Sequence, residues 1–69
     1  MVEVFKTNVE QPEDSEMLID QIINHIPNSQ INFDLEDCDK ILRIEAESVS
    51  NQLIIEILHR NGYHAEVLI

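Results

Sequence analysis

Apolar and polar positions alternate over three stretches of the chain and recur at helical spacing over two more. Val2 and Val4 flank Glu3, and Phe5 stands between Val4 and Lys6. With its β-branched content, Val2 to Val9 predicts a strand. Pro12 suits the first turn of a helix, and Glu13, Asp14 and Glu16 put negative charge near the positive end of its dipole. Behind them Leu18, Ile19, Ile22, Ile23 and Ile26 make a broad apolar stripe. Pro27 steers Ile26 away from the helical region, so the helix ends there. Ile31, Phe33 and Leu35 then alternate with Asn32, Asp34 and Glu36, predicting a half-buried strand with one wet face. Glu36 to Lys40 reads as a hairpin turn. The following strand sends Leu42, Ile44 and Ala46 one way and Ile41, Arg43 and Glu45 the other. Ser50 is placed to cap a second helix whose inward residues are Ile54, Ile57 and Leu58. Asn61-Gly62 ends it, since glycine tolerates the left-handed conformation that helix C-caps favour. Ala65 to Ile69 predicts a last short strand.

The order strand, helix, strand, strand, helix, strand predicts an α+β fold, the ferredoxin-like βαββαβ sandwich. Its four-stranded antiparallel sheet carries both helices on one face. Residues 1–69 form a single domain with no internal linker. At 69 residues and 8.0 kDa, a chain buries only ~60% of its unfolded surface. At 43% hydrophobic residues it is nonetheless too apolar for a disordered tail. With three aromatics and no tryptophan, aliphatic side chains must fill the core. If Val4, Leu42, Ile44 and Val67 point to the helices, Phe5, Ile41 and Leu68 point away. Their strands lie side by side in this fold, so these three are the expected exposed apolar patch, a candidate protein interface.

Charge narrows the choice of partner. Four basic against fourteen acidic residues give −10, which argues against nucleic acid and against anionic membrane surfaces. An unidentified protein partner or self-association remains. The single cysteine, Cys38, forms no intramolecular disulfide. No apolar run exceeds three residues, so no stretch is long enough to span a bilayer. The amino terminus lacks the basic-then-apolar layout of a signal peptide, and a cytoplasmic location is expected.

The stretch Val49-Ser50-Asn51-Gln52-Leu53-Ile54-Ile55-Glu56-Ile57-Leu58-His59-Arg60-Asn61-Gly62-Tyr63-His64-Ala65-Glu66-Val67 resembles the second helix, Gly-Tyr turn and last strand of the heavy-metal-associated domain. That domain is the small ferredoxin-like module of copper chaperones and metal-pumping ATPases. Ile31-Asn32-Phe33-Asp34-Leu35-Glu36 is similar to the family's second strand. The layout covers the whole chain, and the Gly62-Tyr63 region carries its specific part. The family's chemistry lies between the first strand and first helix, where two cysteines separated by two residues bind a soft metal ion. Laying the family's Gly-Met-x-Cys-x-x-Cys over this chain gives Asn8-Val9-Glu10-Gln11-Pro12-Glu13-Asp14, with Gln11 and Asp14 in place of the thiolates. Soft ions such as Cu(I) prefer thiolate and thioether ligands. The resemblance therefore implies the fold without the family's cargo, and no metal residue carries over.

Little else in the sequence suggests chemistry. In this topology the Glu36-Asp37-Cys38-Asp39 turn, the first strand-helix loop and the Gly62-Tyr63 turn share one end of the sandwich. Glu10, Asp14, Asp37, Cys38, Asp39 and His64 are thus the alternative metal cluster, suited to a harder ion such as zinc, although no fixed ligand spacing supports it. Reactive cysteines need electropositive surroundings, so Cys38 between carboxylates is expected to be sluggish. His25, His59 and His64 are scattered, with no pair four residues apart on one helix. The acidic runs match helix dipoles and solvation, and could also attract a basic protein surface. No Ser-His-Asp set, Gly-rich phosphate loop or paired-carboxylate cleft is visible, so no enzyme activity and no cofactor are expected. The leading expectation is a non-enzymatic module acting through protein contacts. Metal handling through carboxylate, histidine and cysteine ligands is the alternative, and a small-ligand sensor on a ferredoxin-like sheet is a third.

Overall fold

Four strands and two helices form in the computed structural model, which describes residues 1–68. They are β1 (Val2–Thr7), α1 (Pro12–His25), β2 (Gln30–Asp34), β3 (Ile41–Glu45), α2 (Asn51–Arg60) and β4 (Ala65–Leu68). The sheet is antiparallel throughout, in the order β2-β3-β1-β4. This is the ferredoxin-like α+β arrangement that the element order predicts. The expected last strand reaches Ile69, which lies outside the described residues. No helix among the described residues is long and apolar enough to cross a membrane.

Local chemistry accounts for the helix ends. Pro12 opens α1, with Glu13 and Asp14 in the first turn and His25 in the last. Gln11 occupies the N-cap position without a side-chain capping bond. At α2, Ser50 accepts a hydrogen bond from the Leu53 amide at 3.3 Å, and His59 and Arg60 lie in the last turn. Gly62 follows with φ +85°, the left-handed backbone for which glycine carries no penalty. Across the helix pair, the Gln21 and Asn61 amides exchange hydrogen bonds at 3.2 and 2.9 Å.

The core lies between the sheet and the two helices. Leu18 and Ile22 of α1, Ile54, Ile57 and Leu58 of α2, and Leu42 and Ile44 of β3 are buried in it. Ile31, Phe33 and Val67 pack against this cluster. Of the predicted α1 stripe, Ile23 is 37% exposed, so the buried face is narrower than the sequence suggests.

β1 corrects the expected sheet faces. Phe5 is fully buried in the core and is not an exposed interface residue. It stands opposite Leu42 on β3 and Val67 on β4, both on the helix side. Val4, expected to point inward, is instead aligned with Arg43 and Leu68 on the open face. Alternation leaves no other choice: Lys6 must stay wet, and Val4 shares its parity, whereas Phe5 shares parity with buried Thr7. Ile41 and Leu68 do lie on the open side, half-buried and 37% exposed respectively. Lys6 and Val4 on β1 stand between their strands, so the three-residue patch of Phe5, Ile41 and Leu68 does not form.

Candidate functional site

Three connections meet at the end of the sandwich where β1 runs out: the β1–α1 loop, the β2–β3 hairpin and the α2–β4 turn. Thr7 joins the first two. Its amide donates to the Asp39 carbonyl at 3.0 Å, and its hydroxyl donates to the Lys40 carbonyl at 2.6 Å. The same hydroxyl oxygen accepts from the Val9 amide at 3.2 Å, which places the Val9 side chain in the core. Asn8 joins the third connection, its side-chain oxygen accepting from the His64 amide at 2.8 Å. These bonds hold the Asn8 to Asp14 loop, which the resemblance aligns with a metal-binding motif.

In that loop the donor set is hard. Gln11 is exposed, and its carbonyl accepts from the amides of Asp14 and Ser15, both at 3.1 Å. Asp14 is half-buried and faces Tyr63. The Tyr63 phenol is held above its ordinary pKa of 10.0 by hydrogen bonding to the Asp14 carboxylate, then by partial desolvation and by repulsion from the same charge. Asp14 thus has a phenol as its neighbour. An amide and a carboxylate offer oxygen donors and do not suit a soft metal ion.

The alternative cluster only partly assembles. Asp37, Cys38 and Asp39 bring one ligand atom each within 4.8 Å of one another, with Asp37 and Cys38 exposed. Glu10, Asp14 and His64 do not join them in any group of three or more ligands among the described residues. The hairpin has its own reasons for this shape. Asp37 accepts from the Asp39 amide at 2.8 Å, and Lys40 takes a left-handed φ of +48°. That backbone is held by Lys40 Nζ donating to the Leu35 carbonyl at 2.9 Å and by the Thr7 hydroxyl. Asp39 also meets Lys6 at 3.7 Å, an exposed pair of small energetic value.

At the far end of the sandwich, an open cleft of about 320 Å³ lies between the end of α1 and the loop after β3. His25, Asn28, Glu47 and Ser48 contribute its polar lining. The sequence reading missed this cleft, because it depends on how two unrelated connections lie against each other.

The fold is a ferredoxin-like sandwich, the one the resemblance implies. Among solved structures, the chain is similar to the N-terminal domain of PacS from Synechocystis PCC6803. The match has a TM-score of 0.70 at 17% identity and covers 100% of this chain and 98% of that one. No family model matches the sequence, and no curated protein matches it. The likeness is one of fold.

Proposed function

We propose that this chain is a small non-enzymatic module with a heavy-metal-associated-like fold, which has lost the thiolate metal site and works through protein contacts. The observation that carries the reading is the loop from Asn8 to Asp14. It sits where the resemblance would place a soft metal, yet offers the amide of Gln11 and the carboxylate of Asp14. The Val9 amide donates to the Thr7 hydroxyl and the His64 amide to the Asn8 side chain, so the chain's own hydrogen bonds anchor this loop. A loop with no soft-metal donors, anchored by its own chain, leaves the surfaces around the sandwich to do the binding.

A second reading draws on Asp37, Cys38 and Asp39, whose clustered ligand atoms would favour a harder ion such as Zn(II). Amide NMR spectra with and without Zn(II) separate the two. The first reading expects only diffuse shifts, at about millimolar metal, across the acidic surface. Specific shifts of the Asp37 to Lys40 and Gly62 amides at about micromolar Zn(II), lost in Cys38→Ser, would establish the second.

A further inference from the structure

Strand pairing on the open sheet face sets four side chains in a block. Val4 stands opposite Leu68, and Lys6 stands opposite Glu66, all four on β1 and β4 with their neighbours Phe5, Val67, Thr7 and Ala65 turned to the core. The block is self-complementary. A twofold axis running between β1 and β4, parallel to the strands, lays Val4 over the Leu68 of a second copy and Lys6 over its Glu66, and repeats both contacts in reverse. The apolar row meets an apolar row, and the four charges form an alternating square. Val2, 42% exposed, extends the apolar row along β1.

The charge distribution singles out the same face. The chain carries −10, which opposes self-association through most of its surface. On the open face, Lys6 and Arg43 stand against Asp34, Glu45 and Glu66, and Asp39 meets Lys6 at its edge at 3.7 Å, a net charge of −2 against −10 for the whole chain. Arg43 lies at the centre of this face, exposed and without an ion pair among the described residues. Two copies can therefore approach back to back with the acidic helical sides turned outward.

We propose that the occupant of the open sheet face is a second copy of this chain, held by Val4–Leu68 and Lys6–Glu66 contacts across a twofold axis. The proposal deepens the reading that the module acts through protein contacts, and rests on it. Such a block lies at the small end of interface sizes, below ~1,200 Å² in total, so the dimer is weak and concentration-dependent.

Sedimentation equilibrium of the full chain up to about 1 mM, with amide NMR over the same range, tests the proposal. Concentration-dependent shifts are expected on β1, β4 and the exposed face of β3. Lys6→Glu and Glu66→Lys alone each convert the alternating square into four like charges and should weaken association by at least about tenfold. The double change Lys6→Glu with Glu66→Lys rebuilds the square with reversed signs and should recover most of the loss. Single changes that unfold the chain are recognised by circular dichroism, and Leu68→Ser then serves as the uncharged variant. A chain that stays monomeric at 1 mM overturns the proposal, while the protein-contact reading stands or falls with the metal titration. Association mapped to the helices or the hairpin, or a double change no better than the singles, overturns it too.

Discussion

Phe5 sits on a central strand between Leu42 and Val67 and has no exposed surface, so its truncation should be among the costliest single changes in the protein. Phe5→Ala removes most of a ring from a packed cluster and should cost ~3–5 kcal/mol, transfer and cavity contributions together. A domain of this size has only ~3–10 kcal/mol of stability in all. The change should therefore remove from about a third to all of the domain's stability. Phe5→Leu is the graded version. It keeps an apolar side chain at the site and should cost ~1–1.5 kcal/mol. With a urea slope of ~1 kcal/mol/M for so small a chain, that moves the midpoint by about 1 M. Val4→Ala, one residue away on the open face, should cost under ~1 kcal/mol, since less surface there leaves water. Urea denaturation followed by circular dichroism measures all three. A Val4→Ala cost equal to or above that of Phe5→Ala would refute the assigned face of β1.

Further expectations concern other parts of the frame. Ile44→Ala, at a fully buried site on β3, should cost ~2–5 kcal/mol, and Glu45→Ala under ~0.5 kcal/mol, by the same denaturation assay. Thr7→Val deletes a hydroxyl that bonds both the Lys40 carbonyl and the Val9 amide, and should cost ~1–3 kcal/mol with faster hydrogen exchange at Val9. Gly62→Ala should cost ~1 kcal/mol through its left-handed backbone alone, because a methyl group there meets nothing within 4 Å. Tyr63 is the only tyrosine, so its phenolate absorbance can be titrated directly, and Asp14→Asn should lower its pKa toward 10.0. Because the folded pKa is raised, Tyr63's contribution to stability is fully present below pH 10 and is lost as pH rises from there through the folded value.

Where a segment's two faces differ sharply in polarity, the sequence read correctly. In β3, Leu42 and Ile44 alternate with Arg43 and Glu45, and the burial follows that pattern. The α2 face of Ile54, Ile57 and Leu58, the Ser50 cap and the Gly62 terminus were legible for the same kind of local reason. β1 was not, because both of its faces carry apolar residues: Val2 and Val4 on one, Phe5 on the other beside polar Glu3 and Thr7. The decisive signals were Lys6, which fixes the wet parity, and Val9, two residues beyond Thr7 and fully buried. At the candidate site, the lack of thiols from Asn8 to Asp14 is a matter of composition and is legible at once. That Asp14 faces Tyr63, and that Cys38 gathers only its two flanking aspartates, depends on how loops distant in sequence meet.

The proposed loss of a soft-metal site from the Asn8 to Asp14 loop is tested most directly by Cu(I) competition against a chromogenic chelator. The native chain should leave the chelator complex intact, because Gln11 and Asp14 offer oxygen donors and Cys38 is a single exposed thiol. The double change Gln11→Cys and Asp14→Cys should withdraw Cu(I) from it. Its second thiol lies in the first turn of α1, where the helix dipole favours thiolate. Pro12 already sits at the start of that helix, so its fixed φ is compatible with the loop's shape. Tight, stoichiometric Cu(I) capture by the native chain would contradict the account.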